Sequence, residues 1–200
     1  AEVKKIGLKE KTVICLWGDH GFHLGEQGLW AKANNYELST RVPLILSVPG
    51  QKMPGGKSPA LVELVDLYPT LADVCGLTVP GGLEGISLRP LLDDPGRPWK
   101  KAAFSQYPRA YAGNRHRTHG DIMGYAIRTS AHRYVEWRDW KSGKVEAHEL
   151  YDHQSDPGEM RNVVAEESYA GVLDRHRAIL KAGWRHALPA GSPGDARAEP

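Results

Sequence analysis

The chain has little that would tie it to a membrane, a nucleic acid or a disulfide framework. Its 200 residues include two cysteines, Cys15 and Cys75, far apart and each in apolar surroundings. They make no CxxC or zinc pattern, so neither a disulfide scaffold nor a thiolate metal site is indicated. Buried free thiols are the expectation. No apolar run approaches the roughly 20 residues that span a bilayer. The opening Ala1-Glu2-Val3-Lys4-Lys5 has no apolar stretch behind its charges, so no signal peptide is visible. Lys and Arg number 26 against 24 Asp and Glu, a net charge of +2. Nothing in that balance argues for nucleic acid or an anionic membrane surface.

The rest of the chain has the composition of an ordinary folded protein, 40% hydrophobic and 25% charged. Ala1 to Glu10 reads as a helix end. Thr12 to Trp17 is a short continuous apolar run rich in β-branched residues, which suits a strand buried on both faces, as in a parallel sheet. Val42 to Val48 is a second such run, with Pro43 tolerable only at its beginning or at an edge. Between Val62 and Leu77, Asp66 is placed to cap a helix with Pro69 in its first turn. That helix has an apolar face of Leu71, Val74 and Cys75 and stops at Gly76.

Pro80 to Pro98 is rich in Gly, Pro and Asp and reads as a linker or long connection. Beyond it, Ala102–Tyr107, Gly124–Arg128, Arg133–Trp137 and Glu149–Asp152 predict an antiparallel sheet. Val164 to Ala187 predicts a helix, with Leu173, His176, Ile179, Leu180 and Trp184 at helical spacing. The Pro, Gly, Ala and Ser-rich tail from Leu188 to Pro200 is expected to be disordered. The fold class is therefore α/β followed by a small α+β unit with an antiparallel sheet. The expected divisions are 1–95, 96–187 and the tail 188–200.

Chemistry-bearing residues concentrate after the first strand. Gly18-Asp19-His20-Gly21 follows Trp17 directly, and in open α/β sheets ligands gather beyond the carboxyl ends of strands. An Asp oxygen and a His nitrogen, flanked by glycines that let the chain turn, are able to meet one cation there. A turn-forming Asp beside a surface His is the plainer alternative. The segment from Gly21 to Tyr36 is a polar, glycine-rich loop with large aromatics, the composition of a site-building loop. Within it Lys32 is the candidate, because one ammonium neutralises a tetrahedral oxyanion; a solvated surface lysine is its alternative.

Together these motifs resemble those of the sulfatase family. Leu16-Trp17-Gly18-Asp19-His20-Gly21, Leu24-Gly25-Glu26 and Gly28-Leu29-Trp30-Ala31-Lys32 look like its second signature region, most similar to the iduronate-2-sulfatase and choline-sulfatase branch. Arg41-Val42-Pro43-Leu44-Ile45, Val48-Pro49-Gly50 and Leu64-Val65-Asp66-Leu67-Tyr68-Pro69-Thr70-Leu71-Ala72 continue the match. Ser105-Gln106-Tyr107-Pro108-Arg109, Met123-Gly124-Tyr125-Ala126-Ile127-Arg128-Thr129 and Arg133-Tyr134 resemble the iduronate-2-sulfatases in particular. Glu149-Leu150-Tyr151-Asp152, Asp156-Pro157 and Glu159-Met160-Arg161-Asn162 resemble the family's usual close.

The resemblance implies the C-terminal part of an alkaline-phosphatase-like domain and hydrolysis of sulfate esters. The expected substrate is a sulfated carbohydrate, such as a sulfated uronic acid or glycosaminoglycan, or another sulfate ester. Such enzymes use a formylglycine nucleophile matured from a Cys/Ser-x-Pro/Ala-x-Arg motif, which follows neither Cys15 nor Cys75. The chain is thus expected to be a fragment, inactive alone, with the N-terminal half of the same enzyme as its partner. A periplasmic or secreted location would need its signal in that half.

By the same resemblance Asp19 and His20 match ligands of a Ca2+ ion. Asp19 suits this oxygen-seeking cation, and His20 binds it or hydrogen-bonds substrate or nucleophile. Lys32 matches the lysine that contacts the sulfate group, and Phe22 walls the pocket. His23, where relatives often carry small or apolar residues, reaches the substrate or lies at the surface. Arg115 and Arg117 meet a uronate carboxylate at the pocket mouth, or belong to a solvated basic loop. Arg109 pairs with a carboxylate in the fold, with contact to the substrate as its alternative. The competing readings are a phosphonate or phosphate monoester hydrolase of the same superfamily and a non-catalytic fragment that binds an anionic glycan.

Overall fold

The computed structural model describes residues 2–109 and 121–195. Helix α1 (Glu2–Lys5) leads to strand β1 (Ile14–Trp17), a hairpin of β2 (His23–Leu24) and β3 (Trp30–Ala31), helix α2 (Glu37–Thr40) and strand β4 (Leu44–Ser47). Helices α3 (Leu67–Val74) and α4 (Arg89–Asp93) precede four strands, β5 (Ala103–Arg109), β6 (Ile122–Arg128), β7 (His132–Asp139) and β8 (Val145–Asp152). Helices α5 (Ala170–Ala182) and α6 (Trp184–Ala187) follow.

Strands β5 to β8 form one antiparallel sheet in chain order. Because side chains alternate along a strand, its two faces carry different residues. Tyr134 of β7 lies beside Ile127 and Leu150 in the register, and α5 closes over this face. Ala102, Ile127, Tyr134, Leu150, Val163, Leu173 and Ala187 make the buried cluster there. The opposite face carries Arg133, Val135 and Trp137, with Ala126 and Gly124 across from the last two. That face receives the segment from Asn34 to Thr40, which includes the short helix α2. Gly124 makes this approach feasible. A Cβ there would lie 2.5 Å from Asn35 Nδ2 and 2.6 Å from the Trp137 ring, where Asn35 donates to the Gly124 carbonyl at 3.3 Å.

A second anchor lies at the start of α3. The buried Lys100 ammonium sits 2.6 Å from Glu63 and 2.8 Å from each oxygen of Asp66. Asp66 also accepts from the backbone N–H of Glu63 and Ile86, and Glu63 from that of Phe104. Every charged atom in this cluster has partners, the condition under which buried polar groups specify a structure.

Several expectations are corrected. β1 pairs antiparallel with β4, and Ile14, Leu16 and Trp17 are exposed. A continuous apolar run reports two apolar faces but not the direction of the neighbouring strand. Asp66 makes no side-chain cap on α3; its carboxylate is drawn instead to Lys100. Cys75 is exposed at the end of α3, not buried, because the helix buries Leu67, Pro69, Thr70 and Ala72. Within Pro80–Pro98 the structure has α4, and Ile86, Leu88 and Leu91 are buried. The closing helix breaks at Gly183, whose φ of 84° is left-handed. Leu188 is buried and Gly191 N–H donates to Asp195, so the chain stays packed as far as residue 195.

The helix face of the sheet holds several histidines. His176 of α5 donates from Nδ1 to the Val172 carbonyl at 2.7 Å and lies 3.0 Å from Thr129 Oγ1. His132, His148 and His176 all titrate below the ordinary imidazole range, chiefly because burial disfavours their charged forms. The unfolded chain therefore takes up protons near pH ~6.5 that the folded chain refuses, so stability rises with pH in this range. Acidification from about pH 7 to pH 5 is expected to lower the urea midpoint, and His176→Gln to flatten that slope. A midpoint that rises on acidification would contradict the buried-histidine account.

Candidate active site

The end of β1 is pinned by two glycines. Gly18 N–H donates to the Pro43 carbonyl at 3.1 Å and Gly21 N–H to the Ser39 carbonyl at 2.9 Å. A Cβ on Gly21 would lie 1.8 Å from the Leu38 carbonyl oxygen, so only glycine fits against α2. Between these fixed points the chain turns and presents Asp19 and His20. His20 N–H donates to Asp19 Oδ1 at 3.1 Å, and the Asp19 side chain remains 81% exposed.

His20 Nδ1 lies 2.8 Å from the Gly21 carbonyl, which can only accept, so Nδ1 carries the proton. Nε2 thereby presents its lone pair, and the Lys32 ammonium donates to it at 2.5 Å. Asp19 Oδ2 is 3.4 Å from the same nitrogen. One carboxylate, one imidazole and one ammonium thus converge at the end of a strand.

Lys32 arrives there by way of the β2–β3 hairpin, in which His23 pairs with Ala31 and Leu24 with Trp30. Glu26 accepts from Leu24 N–H at 2.7 Å across the turn. Gln27 donates to the Gly158 carbonyl, which fastens the hairpin tip to the turn after β8. Ala31, immediately before Lys32, has a φ of 72°, a region that L-residues other than Asn, Asp and Gly rarely enter.

Helix α2, on which Gly21 rests, is held by a buried charge cluster. Arg133 donates from Nε to Glu159 at 2.6 Å and from Nη2 to Glu37 and to Thr40 Oγ1. Arg128 donates to Glu37 at 3.1 Å, Glu37 N–H to Glu159 at 2.7 Å, and His153 Nε2 lies 2.7 Å from Glu159. Burial pushes both carboxyls up, but the charge of Arg133, joined by Arg128 at Glu37 and by the His153 hydrogen bond at Glu159, holds both below the usual range. Glu37, His153 and Glu159 bring ligand atoms within 4.8 Å of one another. The guanidinium of Arg133 already supplies the countercharge at that spot, so the cluster is a clamp and not a cation site.

The structure brings Asp19, His20 and Lys32 together and leaves Phe22 53% exposed. His23 is corrected. It is fully buried, with Nδ1 at 3.2 Å from Ser39 Oγ and 3.4 Å from Asn34 Nδ2, and its ring lies edge-on to Tyr36. It therefore does not lie at the surface. Arg109 lies over the Trp137 ring at 4.5 Å, a cation–π contact where a carboxylate partner was expected. Arg115 and Arg117 lie outside the described residues. Sequence reasoning missed Glu37, Arg133 and Glu159; the one readable sign was that Arg133 and Glu159 fall within segments that match the family.

A family model described as N-sulphoglucosamine sulphohydrolase, C-terminal, matches residues 25–183. The chain is 34% identical to an N-acetylglucosamine-6-O-sulfatase of Bacteroides thetaiotaomicron, over 84% of this chain and 29% of the relative. It is 32% identical to iduronate 2-sulfatase of Mus musculus, over 83% of this chain and 40% of the relative. A solved structure in complex with its substrate, D-glucosamine-2-N,6-O-disulfate, superposes with a TM-score of 0.77 at 30% identity, covering 97% of this chain and 38% of that one. A phosphonate monoester hydrolase from Silicibacter pomeroyi superposes with a TM-score of 0.74 at 30% identity, covering 90% and 36%. The chain belongs to the sulfatase family, with the alkaline-phosphatase-like fold of its neighbours, and spans between 29% and 40% of these two sulfatases' length.

The clamp makes a direct test available. Arg133→Met removes the guanidinium shared by two buried carboxylates, leaving Glu37 to Arg128 and Glu159 to His153, and is expected to cost about 3–5 kcal/mol in urea unfolding. Because Glu37 and Glu159 titrate low, their stabilisation is present above about pH 4.3 and is lost as pH falls further. Glu37→Gln is expected to reduce that acid-side slope, and an unchanged slope would remove the clamp from the stability account.

Proposed function

We propose that this chain is the C-terminal part of a sulfatase that hydrolyses sulfate esters of a sulfated carbohydrate, with a sulfated uronic acid or glycosaminoglycan as the substrate class. The observation that carries the reading is the convergence of exposed Asp19, His20 Nε2 and the Lys32 ammonium on one rigid turn. A sulfate ester gathers negative charge on its nonbridging and leaving oxygens as it cleaves, and fixed positive groups stabilise that charge as it develops. Lys32 binds a sulfate oxygen. His20, its Nδ1 proton committed to Gly21, accepts from Lys32 at Nε2 and so holds the ammonium toward the reacting end of the substrate.

Calcium is the cation that suits this reading. Asp19 fits it, since its carboxylate is open to solvent and oxygen is the donor a hard cation prefers. His20 is the weaker ligand, because Lys32 already faces its Nε2. Two donors are few for an ion that takes 6–8 oxygens, so the other ligands and the formylglycine nucleophile belong to a portion of the enzyme outside this chain. When bound, the cation polarises the sulfate oxygens.

The test is turnover by this chain together with a nucleophile-bearing portion, on sulfated glucosamine and uronate saccharides and on phosphonate monoesters. Sulfate-ester hydrolysis is expected to dominate, to stop on chelation and to return with Ca2+. Lys32→Ala is expected to lower kcat/KM by about 10²–10³-fold, the usual cost of losing one oxyanion partner. Preferred turnover of phosphonates, the substrates for which the Silicibacter pomeroyi hydrolase is named, would replace the substrate class.

A further inference from the structure

The four-stranded sheet carries Arg109, Arg128, Arg133 and Arg138 on its strands. Arg128 pairs with Glu37, Arg133 with Glu37 and Glu159, and Arg138 with Glu136. Arg109 differs. It is half-buried at the end of β5, yet it has no carboxylate partner among the described residues. Its guanidinium lies instead over the Trp137 ring, 4.5 Å from the ring centre.

The platform under Arg109 is itself held in place. Trp137 is 5% exposed, and its Nε1 donates to one oxygen of Glu149 at 2.8 Å. Tyr151 donates to the other oxygen of Glu149 at 3.2 Å. Register and alternation put Arg109 on the same face of the sheet as Trp137 and Arg133, the face that receives Asn34 to Thr40. The Trp137 ring and Asn35 meet over Gly124, within 2.6 Å and 2.5 Å of the place where a Cβ would stand. Asn34, next to Asn35, donates its N–H to the Lys32 carbonyl at 2.8 Å. A short series of contacts thus runs from Lys32 through Asn34, Asn35 and Trp137 to Arg109.

A guanidinium has five N–H donors, all in its plane. Stacking on an aromatic ring uses the face of that plane and satisfies none of these donors. It does fix the plane, and a fixed fork of donors suits two oxygens of one anion. Burying a charge that is neither paired nor fully hydrogen-bonded costs free energy, so the position calls for an acceptor. The substrate class proposed above has one to offer. Besides the sulfate that is cleaved, such a saccharide carries a second anion, a uronate carboxylate or a further sulfate.

We infer that Arg109, held on Trp137, binds the second anionic group of the substrate and so sets a preference for doubly anionic saccharides over singly sulfated ones. The inference rests on the sulfatase reading and deepens it: Lys32 takes the sulfate to be cleaved, and Arg109 takes the other anion.

The test is binding of three saccharides to the 200-residue chain, read by isothermal titration and by the Arg109 Nε–Hε NMR signal. N-acetylglucosamine-6-O-sulfate carries one anion. D-glucosamine-2-N,6-O-disulfate, the substrate of the solved neighbour, and a 2-O-sulfated uronate carry two. Arg109→Gln is expected to weaken both two-anion ligands at least about 10-fold, the effect of one charge-assisted hydrogen bond. It is expected to change the singly sulfated ligand by less than about 3-fold, whereas Lys32→Ala weakens all three. The larger loss, for the disulfate or for the uronate, tells whether sulfate or carboxylate is the group bound. Arg109→Lys keeps the charge without the fork and is expected to restore part of the loss. In the intact chain the Arg109 signal is expected to shift with the two-anion ligands and not with N-acetylglucosamine-6-O-sulfate, a readout that needs no variant to fold. Equal losses for all three ligands, an unmoved Arg109 signal, or no binding by the intact chain overturns the inference. Dependence on Lys32 without dependence on Arg109 overturns it and leaves the sulfatase reading standing. Dependence on Arg109 without dependence on Lys32 upholds the anion site and counts against that reading.

Discussion

The fold turns on the burial of one guanidinium. Arg133 is 2% exposed near the start of strand β7, a position that an unpaired cation could not hold. Its charge is met by Glu37 from the first half of the chain and Glu159 from the turn after β8. Glu37 N–H donates to Glu159 in turn, so the three groups close a ring and not a line of pairs. Helix α2 has four residues, too few to be stable by its own hydrogen bonds. The ring gives it a fixed place, and Gly21 packs against that place. The geometry of Asp19 and His20 thus depends on a residue more than a hundred positions away in the sequence.

The four-stranded sheet serves the two halves of the structure with its two faces. One face is conventional, a layer of Ile127, Tyr134 and Leu150 beneath α5. The other is polar where it meets α2 and aromatic where it meets Asn35, with Arg133, Trp137 and Gly124 along it. An apolar face there would have held the site segment by area alone. Charge and hydrogen bonds hold it in one register, since each partner has only one place at which its bonds are made.

The parts legible in the sequence are those governed by local pattern. β-Branched and aromatic runs marked β5 to β8, and the glycines around Asp19-His20 marked a turn at a strand end. What was not legible were the partners. The apolar run of β1 said that both faces want cover, and nothing in it specified an antiparallel neighbour. His23 sits in a polar loop and reads as exposed, yet Ser39 and Asn34 make a buried place for it. Asp66 reads as a cap because no local signal reveals Lys100, which comes from a distant segment to neutralise it. Long-range charge pairing leaves no periodicity, so a single sequence conceals it.

The strained residues show how the site is kept in order. Among the described residues, the non-glycine positions with positive φ are Gln27, Ala31 and Glu159. Each costs roughly 1–3 kcal/mol and persists only where its surroundings leave no alternative. Gln27 fastens the hairpin tip to Gly158, Ala31 sets the direction of Lys32, and Glu159 completes the ring around Arg133. All three therefore belong to one mechanical path from the sheet to the Lys32 ammonium. A site that stabilises developing charge gains most when its positive groups are fixed before the substrate arrives, because no reorganisation then accompanies the reaction. Strain located along that path, and held in place by a buried ion cluster, is what such a requirement would produce.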